Sequence, residues 1–429
     1  MVWNSRIDTA TSSYRRRVLA WMLLGSVLYG GAANSEESKD AEHDRESEES
    51  AESDDMIEQG GALPALESKS ASLRFGLLVQ TGFDLLPNQV EGKRNTFTLQ
   101  RARLRLDGHF VTKNLTYLFE GDAVSGVGLA MRQGTVGSEV LGAESDDDVP
   151  FLLDARLSFR IPTLGLTFSI GRFIPKWGLS MPERPSRLGA INYPLYVHGS
   201  KDSLGSFRNI GVEAELEVWK YLKAGGGAFN GGKNTWIDDN DRKDILVFFT
   251  FNPVAGFEIR ASSLFKFPEA KDGVDEDGNS IDQGNETHLI PMVEARYRDY
   301  GFDLMAGFAS SVVVRHEDDI RNDYEAYGIM AHAGYVLLGD WFQLMGRFEW
   351  WEPDNKTSKD DQLRITVGPQ LLIKSIHAQF NINYVQDIYA GGTAMCETYL
   401  APPSCAEFEI PPEAQQNAAT ILIQFVLDL

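Results

Sequence analysis

Sixteen short segments between Ser72 and Leu429 alternate apolar with polar side chains, and the gaps between them alternate in length as well. The gaps near 111–114, 162–164, 219–221, 253–256, 298–301, 338–340 and 373–375 are three or four residues each. Those lying between them mostly run from about 12 to 35 residues. A soluble sandwich has no reason to keep that rhythm. Successive side chains of a strand point to opposite faces. A sheet closed on itself in a membrane has tight turns at one rim and long loops at the other. The rhythm therefore predicts an all-β fold, a 16-stranded antiparallel transmembrane β-barrel with short periplasmic turns and long outer loops. An even strand number puts both chain ends on the periplasmic side.

The ends agree with this. Arg15, Arg16 and Arg17 precede an apolar run from Val18 to Tyr29, and Gly31-Ala32-Ala33 supplies small residues for cleavage. That pattern reads as a secretory signal over 1–33, since the apolar run is too short to span a bilayer. Residues 34–67 hold thirteen acidic and two basic residues. With few apolar side chains they form no core, so 34–70 reads as an acidic, disordered periplasmic segment. The barrel then occupies 71–429. Cys396 and Cys405 fall in one outer loop, and in an oxidising compartment a disulfide between them is expected.

Alternation assigns the faces. Leu73, Phe75, Leu77, Val79 and Phe83 point to lipid, and Arg74, Gly76, Gln80 and Asp84 to the interior. In the next strand Ala102, Leu104, Leu106 and Phe110 face out, while Arg101, Arg103, Arg105, Asp107 and His109 face in. Leu115, Tyr117 and Phe119 face out, opposite Glu120 and Asp122. Aromatic residues at strand ends, among them Trp219, Tyr221, Tyr300, Tyr335, Trp341, Trp350 and Trp351, suit interfacial girdles. The inward faces read as polar, and Gly225 and Gly227 as room, so the interior is expected to hold water rather than a packed core.

Charge is distributed unevenly. The net charge is −22, yet the longest gap, 175–208, carries Lys176, Arg184, Arg187, Lys201 and Arg208 against Glu183 and Asp202. If this segment folds inward it makes a basic constriction inside an acidic protein, and rings of like charge set pore selectivity. Lipid headgroups or neighbouring acids are the other partners these cations could have. Arg101, Arg103, Arg105, Arg156 and Arg160 line the wall, as an anion track or as cross-strand pairs. If Val111 faces Asn114 across the turn, Arg105 falls opposite Glu120 and Arg103 opposite Asp122, and Lys223 opposite Glu217.

Other chemistry is thin. Asp275, Asp277, Asn279 and Glu286 echo a calcium loop, but Ser280 stands where Gly is needed and no helices flank it. His332 and His377 come with no nucleophile motif, so no enzyme is expected. Neither a cofactor, a metal nor a nucleic-acid partner is expected.

Several short pieces have a further significance in combination. They are Arg101-Ala-Arg-Leu-Arg-Leu-Asp-Gly108, Leu153-Asp-Ala-Arg-Leu-Ser-Phe159, Gly171-Arg-Phe-Ile-Pro-Lys-Trp-Gly178 and Arg208-Asn-Ile-Gly211. Phe229-Asn-Gly231, Thr250-Phe-Asn-Pro253 and Arg347-Phe-Glu-Trp350 follow in order. Across roughly 72–429 the chain resembles the phosphate-selective porin O and P group of bacterial outer-membrane proteins. The resemblance implies a homotrimeric porin with an inward loop and a basic eyelet. The expectation is passive diffusion of small inorganic anions, phosphate or polyphosphate first, through a barrel seated in outer-membrane lipid. A general or cation-preferring porin, and a closed barrel acting as adhesin or anchor, are the alternatives.

Overall fold

The structure is a computed structural model that describes residues 65–68, 70–85, 95–124, 152–183, 193–198, 204, 208–231, 242–267, 273–274, 280–281, 286–315, 324–338, 341–356, 361–389 and 417–429. The signal region, most of the acidic segment, Arg184, Arg187, Lys201, Cys396 and Cys405 lie outside the described residues, as does most of the calcium-like loop.

Sixteen strands form one closed antiparallel barrel. In chain order they are β1 Ala71–Leu85, β2 Asn95–Phe110, β3 Leu115–Asp122, β4 Leu152–Ile161, β5 Leu166–Phe173, β6 Asn209–Trp219, β7 Leu222–Phe229 and β8 Asp244–Val254. There follow β9 Phe257–Lys266, β10 Glu286–Asp299, β11 Phe302–Arg315, β12 Tyr324–Leu337, β13 Phe342–Glu352, β14 Gln362–Ile373, β15 Ala378–Tyr389 and β16 Asn417–Asp428. Each pairs with its neighbours in sequence. The sheet closes where β16 meets β1, in a register from Ile421 opposite Leu85 to Asp428 opposite Leu78. Leu429 and Leu77 then exchange both backbone hydrogen bonds, at 2.8 and 2.7 Å. Closure leaves no free strand edge in the hydrocarbon, where an unpaired backbone group would be costly.

All seven short gaps join consecutive strands. Several of these reversals use a residue of positive φ, and Gly165, Gly256 and Gly301 do so with φ of 59°, 74° and 79°. Val111 takes the same region at φ 60°, an unusual conformation for a β-branched residue.

One boundary differs from expectation. Ala65–Glu67, within the acidic segment by sequence, is a strand paired with Ser72–Arg74 of β1. The Ser68 hydroxyl closes the reversal by donating to Ala71 O at 3.1 Å and accepting from Ala71 N at 3.0 Å. This edge of β1 extends beyond the end of β16, so it has room for a partner.

The faces follow the expected alternation. Phe249 is 52% exposed on the lipid side, while Phe248 beside it is 0% exposed inside. Trp219, Tyr300, Tyr335 and Trp341 are exposed at the turn end, as a girdle requires. Trp351 departs from the expectation, because it points inward and is fully buried.

The interior also departs from it. Half of the barrel holds a packed apolar cluster in which Phe248, Leu264, Met292, Met330 and Trp351 from the wall meet Trp177, Leu195 and Tyr196 from the segment between β5 and β6. Gly225 and Gly227 leave no free space. A Cβ on Gly225 would lie 2.3 Å from the Phe248 ring, and one on Gly227 2.8 Å from Phe229.

Candidate functional site

The segment after β5 folds into the barrel and is seated on the inner faces of β9, β10 and β13. Its backbone reaches the wall first. The Trp177 indole N–H donates to Ile290 O at 3.2 Å, and Gly178 N–H to Ser262 Oγ at 3.2 Å. Arg260 Nη1 donates to Gly178 O at 2.8 Å. An irregular backbone run buried in the lumen must satisfy its N–H groups somehow, and three wall carboxylates do part of this, Glu213 by accepting from Lys176 N–H at 3.1 Å. Glu294 accepts from Leu179 N–H, from Ser180 N–H at 2.8 Å and from Ser180 Oγ at 2.7 Å. It also accepts from the Tyr196 hydroxyl at 2.6 Å. Glu349 accepts from Leu195 N–H at 2.9 Å, and Arg347 lies 3.0 Å from it.

Tyr196 belongs to a single helical turn, α1 Leu195–His198, and its ring is held between two glycine positions. A Cβ on Gly328 would fall 2.4 Å from Tyr196 Cβ, and one on Gly307 2.3 Å from its hydroxyl oxygen. Burial, then the adjacent Glu294 charge, push this phenol well above the usual tyrosine range. Nearer the turn end, Glu183 pairs with Arg296 and with Arg298 at 3.1 Å. Those arginines also pair with Glu258 at 2.8 Å and Asp303 at 2.9 Å.

Across the barrel the wall of β1 to β4 carries the arginines marked in the sequence. The expected register holds, with Arg105 opposite Glu120 and Arg103 opposite Asp122. Arg103 lies 3.0 Å from Asp122 and 3.2 Å from Glu120. Arg105 takes a different partner, Asp107 on its own strand, at 2.8 Å. Arg160 pairs with Glu217 at 3.2 Å. Arg101 donates to Gln80 and has no carboxylate partner among the described residues. Arg156 likewise has none among them, and lies 6.0 Å from the centre of the Phe173 ring.

Of the cations assigned to the constriction, Lys176 and Arg208 are described, and both are tied to wall acids. Lys176 Nζ is 2.8 Å from Glu215 and 3.7 Å from Glu213. Arg208 bridges Asp154 at 3.0 Å and Glu120 at 3.2 Å. Burial lowers the Arg208 pKa, but Asp154 and Glu120 outweigh it and the guanidinium ends above its usual value. Tyr193 sits by the same arginines, its phenol raised by burial.

Beside Arg101 the wall becomes neutral. Asn381 donates to Gln424 at 3.2 Å, and Gln424 to Gln100 at 2.8 Å. The lumen thus has three linings: a loop-covered side, an arginine-rich side and a stretch of amides. Glu294 and Glu349 both lie under the loop and are 0% exposed, which sequence reasoning did not anticipate. Tyr196 gave no signal of its own. The inward glycines Gly307 and Gly328, in otherwise filled strands, were the available clue.

The closed barrel, its apolar outer band and its internal loop define the porin architecture of the bacterial outer membrane. No family model and no curated protein matches the chain. Solved structures do. An anion-selective porin from Comamonas acidovorans aligns with 84% of this chain and 100% of its own, at 11% identity and a TM-score of 0.57. OmpT of Vibrio cholerae, in a trimer form, aligns over 84% and 100%, at 13% identity and a TM-score of 0.52. The outer-membrane channel DcaP of Acinetobacter baumannii aligns over 85% and 100%, at 11% identity and a TM-score of 0.53. At these identities the likeness is one of fold.

Proposed function

We propose that this chain is an outer-membrane channel for passive diffusion of small anions, with inorganic phosphate and polyphosphate as the leading solutes. One observation carries the reading. Arg101 and Arg156 face the interior with no carboxylate at ion-pair distance among the described residues, whereas Glu294 and Glu349 are withdrawn beneath the loop. The charge left to act on a passing ion is therefore more positive than the composition suggests. Partly unpaired guanidinium groups in a narrow, low-dielectric passage favour anions at the point of entry. The anion-selective porin among the structural neighbours is consistent with this.

Lys176, Arg184, Arg187, Lys201 and Arg208 remain the proposed constriction cations. Lys176 and Arg208 would act through the net charge of their pairs rather than as free cations. A homotrimer is proposed on the resemblance and on the trimeric neighbour.

The test is the reversal potential of purified protein in a planar bilayer under a potassium chloride gradient, repeated with added phosphate. Chloride preference with block by phosphate is the expected result. Potassium preference would overturn the anion reading in favour of a general or cation-preferring porin. Absence of steady current in repeated reconstitutions would favour a closed barrel.

A further inference from the structure

Glu294 is an unusual wall residue. It stands in mid-strand on β10, it is 0% exposed, and both of its oxygens are occupied by groups of the inward loop. A buried carboxylate without partners would be strongly unfavourable, and several charge-assisted hydrogen bonds are what make it tolerable. Here those bonds come from both limbs of the loop. Leu179 and Ser180 belong to the descending limb, and Tyr196 to the returning one. One side chain thus gathers two parts of the loop that are sixteen residues apart in sequence. Both surfaces are shaped to match. Gly178 on the loop and Gly307 and Gly328 on the wall each lack a side chain where a Cβ would strike Glu294, Met292 or Tyr196.

We infer that Glu294, with Tyr196 as its pin, is the residue that positions the inward loop and so sets the aperture of the channel. The inference rests on the channel reading for the word aperture; the seating of the loop stands without it. Glu294 acts through the loop and touches no passing ion. Its loss therefore has a signature different from the loss of a lumen charge. A lumen carboxylate, when removed, shifts ion selectivity at nearly constant conductance. A positioning carboxylate, when removed, changes conductance and open-channel noise, because the loop samples several positions.

The experiment uses the full chain in lipid with Glu294→Ala, Glu294→Gln and Tyr196→Phe. Single-channel conductance, noise and reversal potential are recorded. Barrel integrity is followed by heat-dependent gel mobility. In parallel, Leu195→Cys is introduced into each background and its maleimide labelling is measured above that of the parent chain. Leu195 is fully buried against the wall, so it labels only when the loop leaves its seat. The expected result for Glu294→Ala is greater noise, altered conductance and labelling faster by about tenfold or more, the factor for losing one charge-assisted hydrogen bond. Glu294→Gln should be intermediate, because its amide oxygen still accepts from Tyr196 while its N–H₂ opposes the backbone donors. Tyr196→Phe covers the case in which Glu294→Ala fails to insert, and should show a smaller change of the same kind. Unchanged labelling and noise in intact barrels would overturn the inference. If the unaltered chain carries no current but labelling still accelerates, the loop seat is supported and the channel reading fails.

Discussion

The phenol of Tyr196 donates a hydrogen bond to Glu294 at 2.6 Å, across ninety-eight residues of sequence. It joins a helical turn of the inward segment to the middle of β10. Around it the barrel is filled rather than open, with Trp177, Leu195, Phe248 and Trp351 in one apolar cluster. The polar lining lies on the remaining side, in the arginines of β2 and β4 and the amides of β15 and β16. Apolar packing and polar lining are divided between the two halves of one lumen.

Filling the Tyr196 pocket should release the loop without harming the barrel. A Cβ on Gly328 would sit 2.4 Å from Tyr196 Cβ, so Gly328→Val forces the ring away. Overpacking of this kind costs about 1–3 kcal/mol. Gly346 is the control. It faces lipid, and the nearest atom to its Cβ would be 3.8 Å away, so Gly346→Val should be neutral. Open-channel noise and thermal unfolding, measured side by side, check the pair. Equal effects of the two substitutions would contradict the pocket.

Arg101 and Arg208 should separate in their effect on ion preference. Arg101→Gln removes a guanidinium with no carboxylate partner among the described residues, so anion preference falls by the loss of one charge. Arg208→Gln removes the group that lies 3.0 Å from Asp154 and 3.2 Å from Glu120. It leaves Asp154 without its partner and Glu120 with Arg103 alone, so the shift toward cations should be the larger of the two. Reversal potentials under one salt gradient rank them. The opposite order would mean that Arg101 lies at the narrower point.

Much of the barrel was legible because its signals are local. Turn lengths gave the register of Arg103 with Asp122 and of Glu217 with Lys223, since a strand pair has only one freedom once its turn is fixed. The packed half was not legible. Across residues 245–251 nearly every side chain is apolar, so the period that separates faces is absent, and Phe248 looks no different from Phe249. Gly225 read as space because its filler, Phe248, belongs to the next strand. The ion pairs of Lys176 and Arg208 were hidden for a similar reason, as their partners depend on the path of a long loop. Local pattern fixes which way a strand faces, but not what will cover it.

On the outer face, Tyr117 should prove a stabilising residue. It lies opposite Gly108, its ring stacks on Phe110 at 4.3 Å, and its hydroxyl donates to Ser72 O at 2.9 Å. The glycine is required, since a Cβ there would fall 1.9 Å from that same oxygen. Tyr117→Phe should cost about 1 kcal/mol for the lost hydrogen bond. Tyr117→Ala should cost more, about 2–3 kcal/mol, because the ring no longer covers the bare backbone. The temperature at which the folded band disappears on a gel reports both. If both variants melted with the parent, the contact would be incidental.

The Tyr196 bond should also give the channel an alkaline limit. Burial first, and Glu294 second, raise this phenol above its usual value, so the folded loop favours the protonated form. The sign follows from linkage. A group whose folded pKa exceeds its unfolded one contributes stability in full below the unfolded value, about 10 for tyrosine, and loses it as pH rises through the folded value. The seat is therefore unaffected near neutrality and gives way only in strongly alkaline solution. Open-channel noise recorded from neutral to strongly alkaline pH should show a step above the ordinary tyrosine range. Tyr196→Phe should lack that step, because it has no proton to lose. A step that persisted in Tyr196→Phe would assign the transition to another group and remove the phenol from the account of the seat.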